Sequence, residues 1–170
     1  MPLGLESGTV RVVPYDPAWP QLFEAEASRL NALFAVAQLE VSIEHSGSTA
    51  VHGLSAKPVL DILVGYPANS QPAAYIDVLS KAGYDHRGQQ GIPSREFFRR
   101  GNPRAYHLHL TAIDGAFWMD HLTFRDRLRA DDALRDAYAR LKCHLAATYP
   151  RDREAYIAGK TRFVSRVLAE

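Results

Sequence analysis

The chain has 170 residues, 46% of them hydrophobic and 23% charged, with a formal net charge of +1. That length suits one domain, expected over 1–170, with enough apolar material for its own core. The near-zero charge excludes a strongly basic nucleic-acid binder, so no nucleic-acid partner is expected.

One cysteine, Cys143, excludes an internal disulfide and fits a reducing, cytoplasmic setting. The segment "MPLGLESGTV" has neither a basic start nor a long apolar core, so no signal peptide is expected. No run approaches the roughly 18 apolar residues of a membrane span, so no membrane partner is expected. The most linker-like stretch, "YPANSQPAAY", is too short to separate domains.

In chain order, "TVRVVPYD" reads as a short strand or extended arm. Asp16-Pro17 reads as a helix start, although Pro20 disfavours helix at Trp19. Phe23, Ala27, Leu30, Leu33 and Phe34 then share one helical face. Residues 39–43 read as a strand, 46–54 as a Gly-Ser-rich turn with a short helix, and 59–64 as a buried strand containing Asp61. A helix follows over about 70–82, stopped by Gly83. Short strands follow in "YDHR", "REFFRR" and "AYHLHLTAI". In the last, Tyr106, Leu108 and Leu110 lie on one side, and His107, His109 and Thr111 on the other. From Phe117 the pattern is helical. Leu134, Tyr138, Leu141 and Leu145 form one stripe, capped by Asp131 or Asp132; Tyr156, Ile157, Lys160, Phe163, Val164 and Val167 form another. The expected fold is α+β (α/β mixed), a mixed sheet of about four or five strands flanked by helices.

The chemistry concentrates in "HSGSTAVHGLSAKPVLDILV". Glycine lets backbone approach an anion, and a neighbouring hydroxyl can bond a phosphate oxygen, so Gly47, Ser48 and Thr49 are candidate phosphate binders. The plainer alternative is a turn between two buried strands. Asp61 is costly inside an apolar strand unless paired, hydrogen-bonded or bound to a cation. It is either a strand-end Asp bonding backbone or a ligand for Mg²⁺. His107 and His109, two residues apart on one strand face, can share a metal or an anion, or simply face solvent. His45 is at least as readily a packing residue as an acid or base, and His52 is expected to be exposed. Lys57 can meet a phosphate or stand solvated ahead of the strand. Arg95 is the better candidate for an anion clamp, because guanidinium binds phosphate bidentately, whereas Arg99, Arg100 and Arg104 read as a solvated strand edge. Arg125-Asp126 reads as a structural ion pair. Lys142 and Lys160 lie beside apolar helix stripes; Lys160, on an otherwise apolar face, invites a buried partner or a ligand phosphate, with snorkelling to solvent the default. Trp19, Phe23, Phe34, Tyr138 and Tyr156 read as core.

The segments "VVPYDPAWPQLFEAEASRL", "EHSGSTAVHGLSAKPVLDILV", "GY", "HLHL", "FRDRLR", "YARLK" and "YIAGKTRFV" occur in that order. Together they resemble the GrpB family, over about residues 11–167. The resemblance implies a nucleotidyltransferase-like fold, in which a Gly-Ser turn holds nucleotide phosphates and a downstream strand presents two carboxylates, in an Asp-x-Asp or Asp-x-Glu pattern, to a divalent metal. Gly47 and Ser48 match the turn and Asp61 the first carboxylate, but Leu63 stands where the second should be. The implied activity is Mg²⁺- or Mn²⁺-dependent nucleotidyl transfer on a nucleotide or phosphorylated small molecule. In it Asp61 and His109 are catalytic, Asp61, His107 and His109 are the metal ligands, and Lys57 and Arg95 offset phosphate charge. One alternative is a non-catalytic nucleotide- or phosphometabolite-binding module. Members of the family are also joined to dephospho-coenzyme A kinase domains, which links that alternative to coenzyme A metabolism. Another is a hydrolase using Zn²⁺ or Mn²⁺ on the His pair and Asp61. The oligomeric state is left open.

Overall fold

The computed structural model describes residues 3–169; the first two residues and the last, where the expected span of 1–170 begins and ends, lie outside the described residues. Among the described residues five strands form one sheet in the order β1-β2-β5-β4-β3: β1 Ser42–Ser46, β2 Leu60–Tyr66, β3 Asp85–His86, β4 Arg95–Arg100 and β5 Tyr106–Ala112. Only β2 and β5 run parallel; the other pairs are antiparallel. The helices are α1 Trp19–Val36, α2 Pro72–Lys81, α3 Ala116–Ala130, α4 Asp132–Thr148 and α5 Arg153–Ala169.

Strand alternation divides the molecule into two layers around the sheet. Leu60, Ile62 and Val64 of β2, Leu108 and Leu110 of β5 and Phe98 of β4 pack with Trp19, Phe23, Ala27, Leu30 and Phe34 of α1 and Tyr75 and Leu79 of α2. Leu30, Phe34, Ile62, Phe98 and Leu108 are completely buried, and burying a side chain of that size stabilises by about 1.5–3 kcal/mol. This back layer holds the main core. The opposite face of β2 carries Asp61, and the register sets Ser46 beside it on β1 and His107 beside it on β5. One step along, Leu63 lies between Glu44 and His109. Helix α3 packs on β1 and β5 and is contacted by α4 and α5, so the three C-terminal helices cover this front face.

Several elements differ from the sequence expectation. Helix α1 begins at Trp19, with Pro20 in its first turn and the Asp16 carboxylate accepting from Ala18 N–H at 2.9 Å. The strand expected at 39–43 begins at Ser42, because Gln38, at φ 57°, first turns the chain out of α1. "TVRVVPYD" is an extended arm held by an isolated bridge from Val13 to Ala56. The arginines expected as a solvated edge are largely drawn inward: Arg100 pairs with buried Glu26, and Arg104 is buried. Period 2 puts Arg100 on the back face with Phe98, where Glu26 of α1 needs a partner. Asp131 caps α4 as expected, accepting from Leu134 N–H at 2.9 Å. Among the described residues no helix is long and apolar enough to cross a membrane.

Candidate functional site

A cavity of about 370 Å³ opens between the front face of the sheet and the C-terminal helices. Gly47, Ser48, Thr49, Lys57, Asp61, His107 and His109 all line it. The Gly-Ser turn reaches Asp61 because Gly47 ends β1 at φ 68° and leads into one 3-10 turn, Ser48–Ala50. A Cβ at Gly47 would lie 2.4 Å from Asp61 Oδ2, so only glycine lets backbone and carboxylate come this close. Arg125 of α3 fixes the approach to the turn by donating to His45 O at 2.9 Å while pairing with Glu44 at 2.7 Å and with Asp126 at 2.7 Å.

The Asp61 side chain remains 31% exposed. The group is therefore open to the cavity and not sealed by main-chain amides. Its Oδ1 faces His107 Nδ1 at 3.4 Å and His109 Nε2 at 3.8 Å. Burial pushes the carboxyl up, but the neighbouring His107 and His109 imidazoles outweigh it and hold Asp61 well below the usual carboxylate range. Burial pushes both imidazoles down against the pull of Asp61.

Arg95 is not brought into the cavity wall. It lies behind His109, its guanidinium over the rings of Phe97 and Phe117 at 4.9 and 5.6 Å, and it donates to Gln89 O at 3.0 Å. It also meets His109 Nδ1 at 3.4 Å. A guanidinium only donates, so His109 Nδ1 is the acceptor and the ring proton sits on Nε2, toward Asp61. Thr49 lines the cavity, but its hydroxyl is bound to His45 Nε2 at 3.0 Å. His45 is a packing residue stacked on Phe23; burial pushes it down to about 4. His52 is exposed, as expected.

Other residues at the cavity were not singled out by sequence, or were expected elsewhere. Asp120 and His121 of α3 and Arg153 of α5 line it, as do Tyr138 and Tyr156, which are buried in apolar clusters as expected and also edge the cavity. His121 donates from Nδ1 to Phe117 O at 2.8 Å, leaving Nε2 with the lone pair, and burial pushes it down to about 4. Lys142 and Lys160 do not snorkel: both line the cavity, and Lys142 is 2% exposed. The signal available in the sequence was a repeated Tyr-x-x-x-Lys spacing, Tyr138 to Lys142 and Tyr156 to Lys160, which stacks each lysine on its tyrosine one helical turn away.

Residues 9–170 match the family described as GrpB protein. The chain belongs to the GrpB family. A UPF0157 protein of Pseudomonas aeruginosa is 42% identical over 166 residues, covering 94% of this chain; the chain spans 66% of that relative's length. The crystal structure of the conserved protein GrpB from Enterococcus faecalis superposes with a TM-score of 0.81 at 32% identity, covering 94% of this chain and 95% of that one. Beyond GrpB proteins, the Cid1 poly(U) polymerase superposes with a TM-score of 0.54 at 12% identity, over 80% of this chain and 43% of that one. That likeness shows the fold, which is nucleotidyltransferase-like.

The metal implied by this fold meets an altered donor set in this GrpB chain. Leu63 is completely buried where a second acid is expected, and the neighbouring Glu44 is paired with Arg125. Among the described residues no group of three or more His, Cys, Asp or Glu side chains is arranged to hold a metal ion. With its proton on Nε2, His109 offers Asp61 a donor and not a ligand atom. The set fits an oxygen-preferring cation that takes one carboxylate and completes its shell with substrate phosphates and water. It fits Zn²⁺ on the His pair less well.

Proposed function

We propose that the cleft seats the phosphates of a nucleotide beside Asp61 and that the chain transfers a nucleotidyl group. The observation that carries this reading is the contact between the Gly-Ser turn and a single open carboxylate on the front face of a nucleotidyltransferase-like sheet. The structural neighbour Cid1 is described with Mg 3′-dATP bound.

In the proposed reaction an acceptor hydroxyl attacks the α-phosphorus, the bond to the bridging oxygen breaks, and pyrophosphate leaves with the electron pair. Gly47 lets the turn close on the phosphates, and Ser48 offers them its hydroxyl. Mg²⁺ or Mn²⁺ bound at Asp61 would neutralise charge on the transferring phosphate. His107 and His109 keep the Asp61 carboxylate ionised and aimed, and Arg95 acts through His109 by fixing its tautomer. The hydroxyl proton passes to water in the open cleft. Such catalysis is placement and charge stabilisation, which needs few reactive groups.

Leu63 favours a second reading, in which the same site binds a nucleotide or phosphorylated metabolite without transfer. Pyrophosphate release over a panel of nucleoside triphosphates and acceptors, with and without Mg²⁺, separates the two. Mg²⁺-dependent release that stops in Asp61→Asn supports transfer. Thermal stabilisation by triphosphates without any release would leave binding alone.

A further inference from the structure

The charge lining the cavity is lopsided. Among the described residues, Lys57, Arg125, Lys142, Arg153 and Lys160 line the cavity with only two acids, Asp61 and Asp120. Arg125 is neutralised by Glu44 and Asp126. The other four cations have no acid within ion-pair distance among the described residues. They converge from three places: Lys57 from the loop before β2, Lys142 from α4, and Arg153 and Lys160 from α5.

Their placement is specific. The Lys142 ammonium lies 4.8 Å from the centre of the Tyr138 ring, and Lys160 lies 4.6 Å from that of Tyr156. Lys57 shares the Tyr156 ring at 5.4 Å. Lys142 is nine-tenths buried or more and donates only to a neutral carbonyl, Ser55 O. Arg153 Nε is buried with no hydrogen-bond partner. Lysine normally carries its charge out to water along a flexible stem. Holding several such charges inward, close together and without an anion, is unfavourable until a ligand supplies negative charge.

We infer that Lys57, Lys142, Arg153 and Lys160 form a seat for a polyphosphate chain, so that the ligand of this cleft is a di- or triphosphate and not a phosphomonoester. One phosphate group supplies only about two negative charges, short of four cations entering from three elements; a chain of two or three phosphates carries more charge and has the span to meet them in turn. This rests on the reading that the cleft takes phosphates, and is independent of whether a nucleotidyl group is then transferred.

Inorganic tripolyphosphate and orthophosphate, titrated calorimetrically into the chain at low salt with EDTA present, test the seat without base, sugar or metal. The expected result is at least about tenfold tighter binding of tripolyphosphate, equivalent to one good charged contact. Lys160→Gln and Lys142→Met should each weaken it by about tenfold or more. Lys160→Gln gives the result even if Lys142→Met fails to fold. Asp61→Asn should bind tripolyphosphate at least as tightly as the parent chain. Equal affinity for the two anions, or unchanged tripolyphosphate binding in Lys160→Gln, would overturn the seat. Pyrophosphate release without tripolyphosphate binding would overturn the seat and leave the transfer reading standing; tripolyphosphate binding without release would keep the seat and remove transfer.

Discussion

Behind the sheet, buried Glu26 meets two guanidinium groups and a phenol; in front of it, four cations meet no acid partner among the described residues. Glu26 of α1 is 5% exposed and accepts from Arg29 at 2.7 Å, from Tyr84 at 2.9 Å and from Arg100. Burial pushes its carboxyl up, but the Arg29, Arg100 and Tyr84 hydrogen bonds outweigh it and hold Glu26 below its ordinary value. The front cavity has the reverse character. Burial and neighbouring cations push Lys57, Lys142 and Lys160 down, and among the described residues Asp61 is the carboxylate pulling all three up. Charge that is satisfied within the chain secures the fold. Charge left over in a cavity is what a charged ligand completes.

The contrast can be broken most forcefully at Glu26. Glu26→Ala leaves Arg100 and Tyr84 without their partner, and removing one member of a buried ionic network costs about 3 to 5 kcal/mol. Urea unfolding should show that loss, while tripolyphosphate affinity of the folded protein stays unchanged. Unaltered stability would mean that the back network is not structural.

On the front face the sign reverses. Asp61→Asn should lower pyrophosphate release by about a hundredfold or more, the scale of one lost electrostatic contact in a transition state, with little change in the urea midpoint. A large fall in the midpoint would move Asp61 into the structural class with Glu26.

Gly47→Ala probes the link between turn and carboxylate. A Cβ there, at φ 68°, meets Asp61 Oδ2 at 2.4 Å, whereas Gly8, at φ 80°, has nothing within 4 Å. Gly47→Ala should therefore cost more in melting temperature than Gly8→Ala, with strain of about 1–3 kcal/mol, and should also weaken nucleotide binding. Equal effects would show that backbone conformation alone matters.

The front-face lysines should also make stability depend on pH. Burial, then Lys57, push Lys160 down to about 8, against an unfolded value of about 10.4. Between those values the unfolded chain binds more protons, so stability should rise as pH increases through that window. Lys160→Met should flatten the rise seen in thermal melts. An identical slope in both proteins would place the Lys160 ammonium in water.

The legibility of these two faces in the sequence was also unequal. The back layer was readable because strand alternation and the α1 stripe report directly on burial: Phe23, Ala27, Leu30 and Phe34 were placed by period alone. The turn and Asp61 were readable because a lone carboxylate in an apolar strand needs an explanation. Arg95 was misleading, since its clamp-like chemistry is spent on His109 and Gln89 O, a consequence of a loop that periodicity does not describe. Glu26 was hidden for the opposite reason: apart from Arg29, its partners lie 58 and 74 residues away on Tyr84 and Arg100. Lys142 and Lys160 were noticed but expected in water, because their inward placement depends on how α4 and α5 cover the sheet.

The most direct test of the front-face cleft is a calorimetric titration of the chain and of Asp61→Asn with nucleoside triphosphates, with and without Mg²⁺. The expected result is binding by the parent chain that Mg²⁺ strengthens, with the Mg²⁺-dependent gain lost in Asp61→Asn. Absence of triphosphate binding by the parent chain under both conditions, or the same Mg²⁺ gain in both proteins, would contradict it.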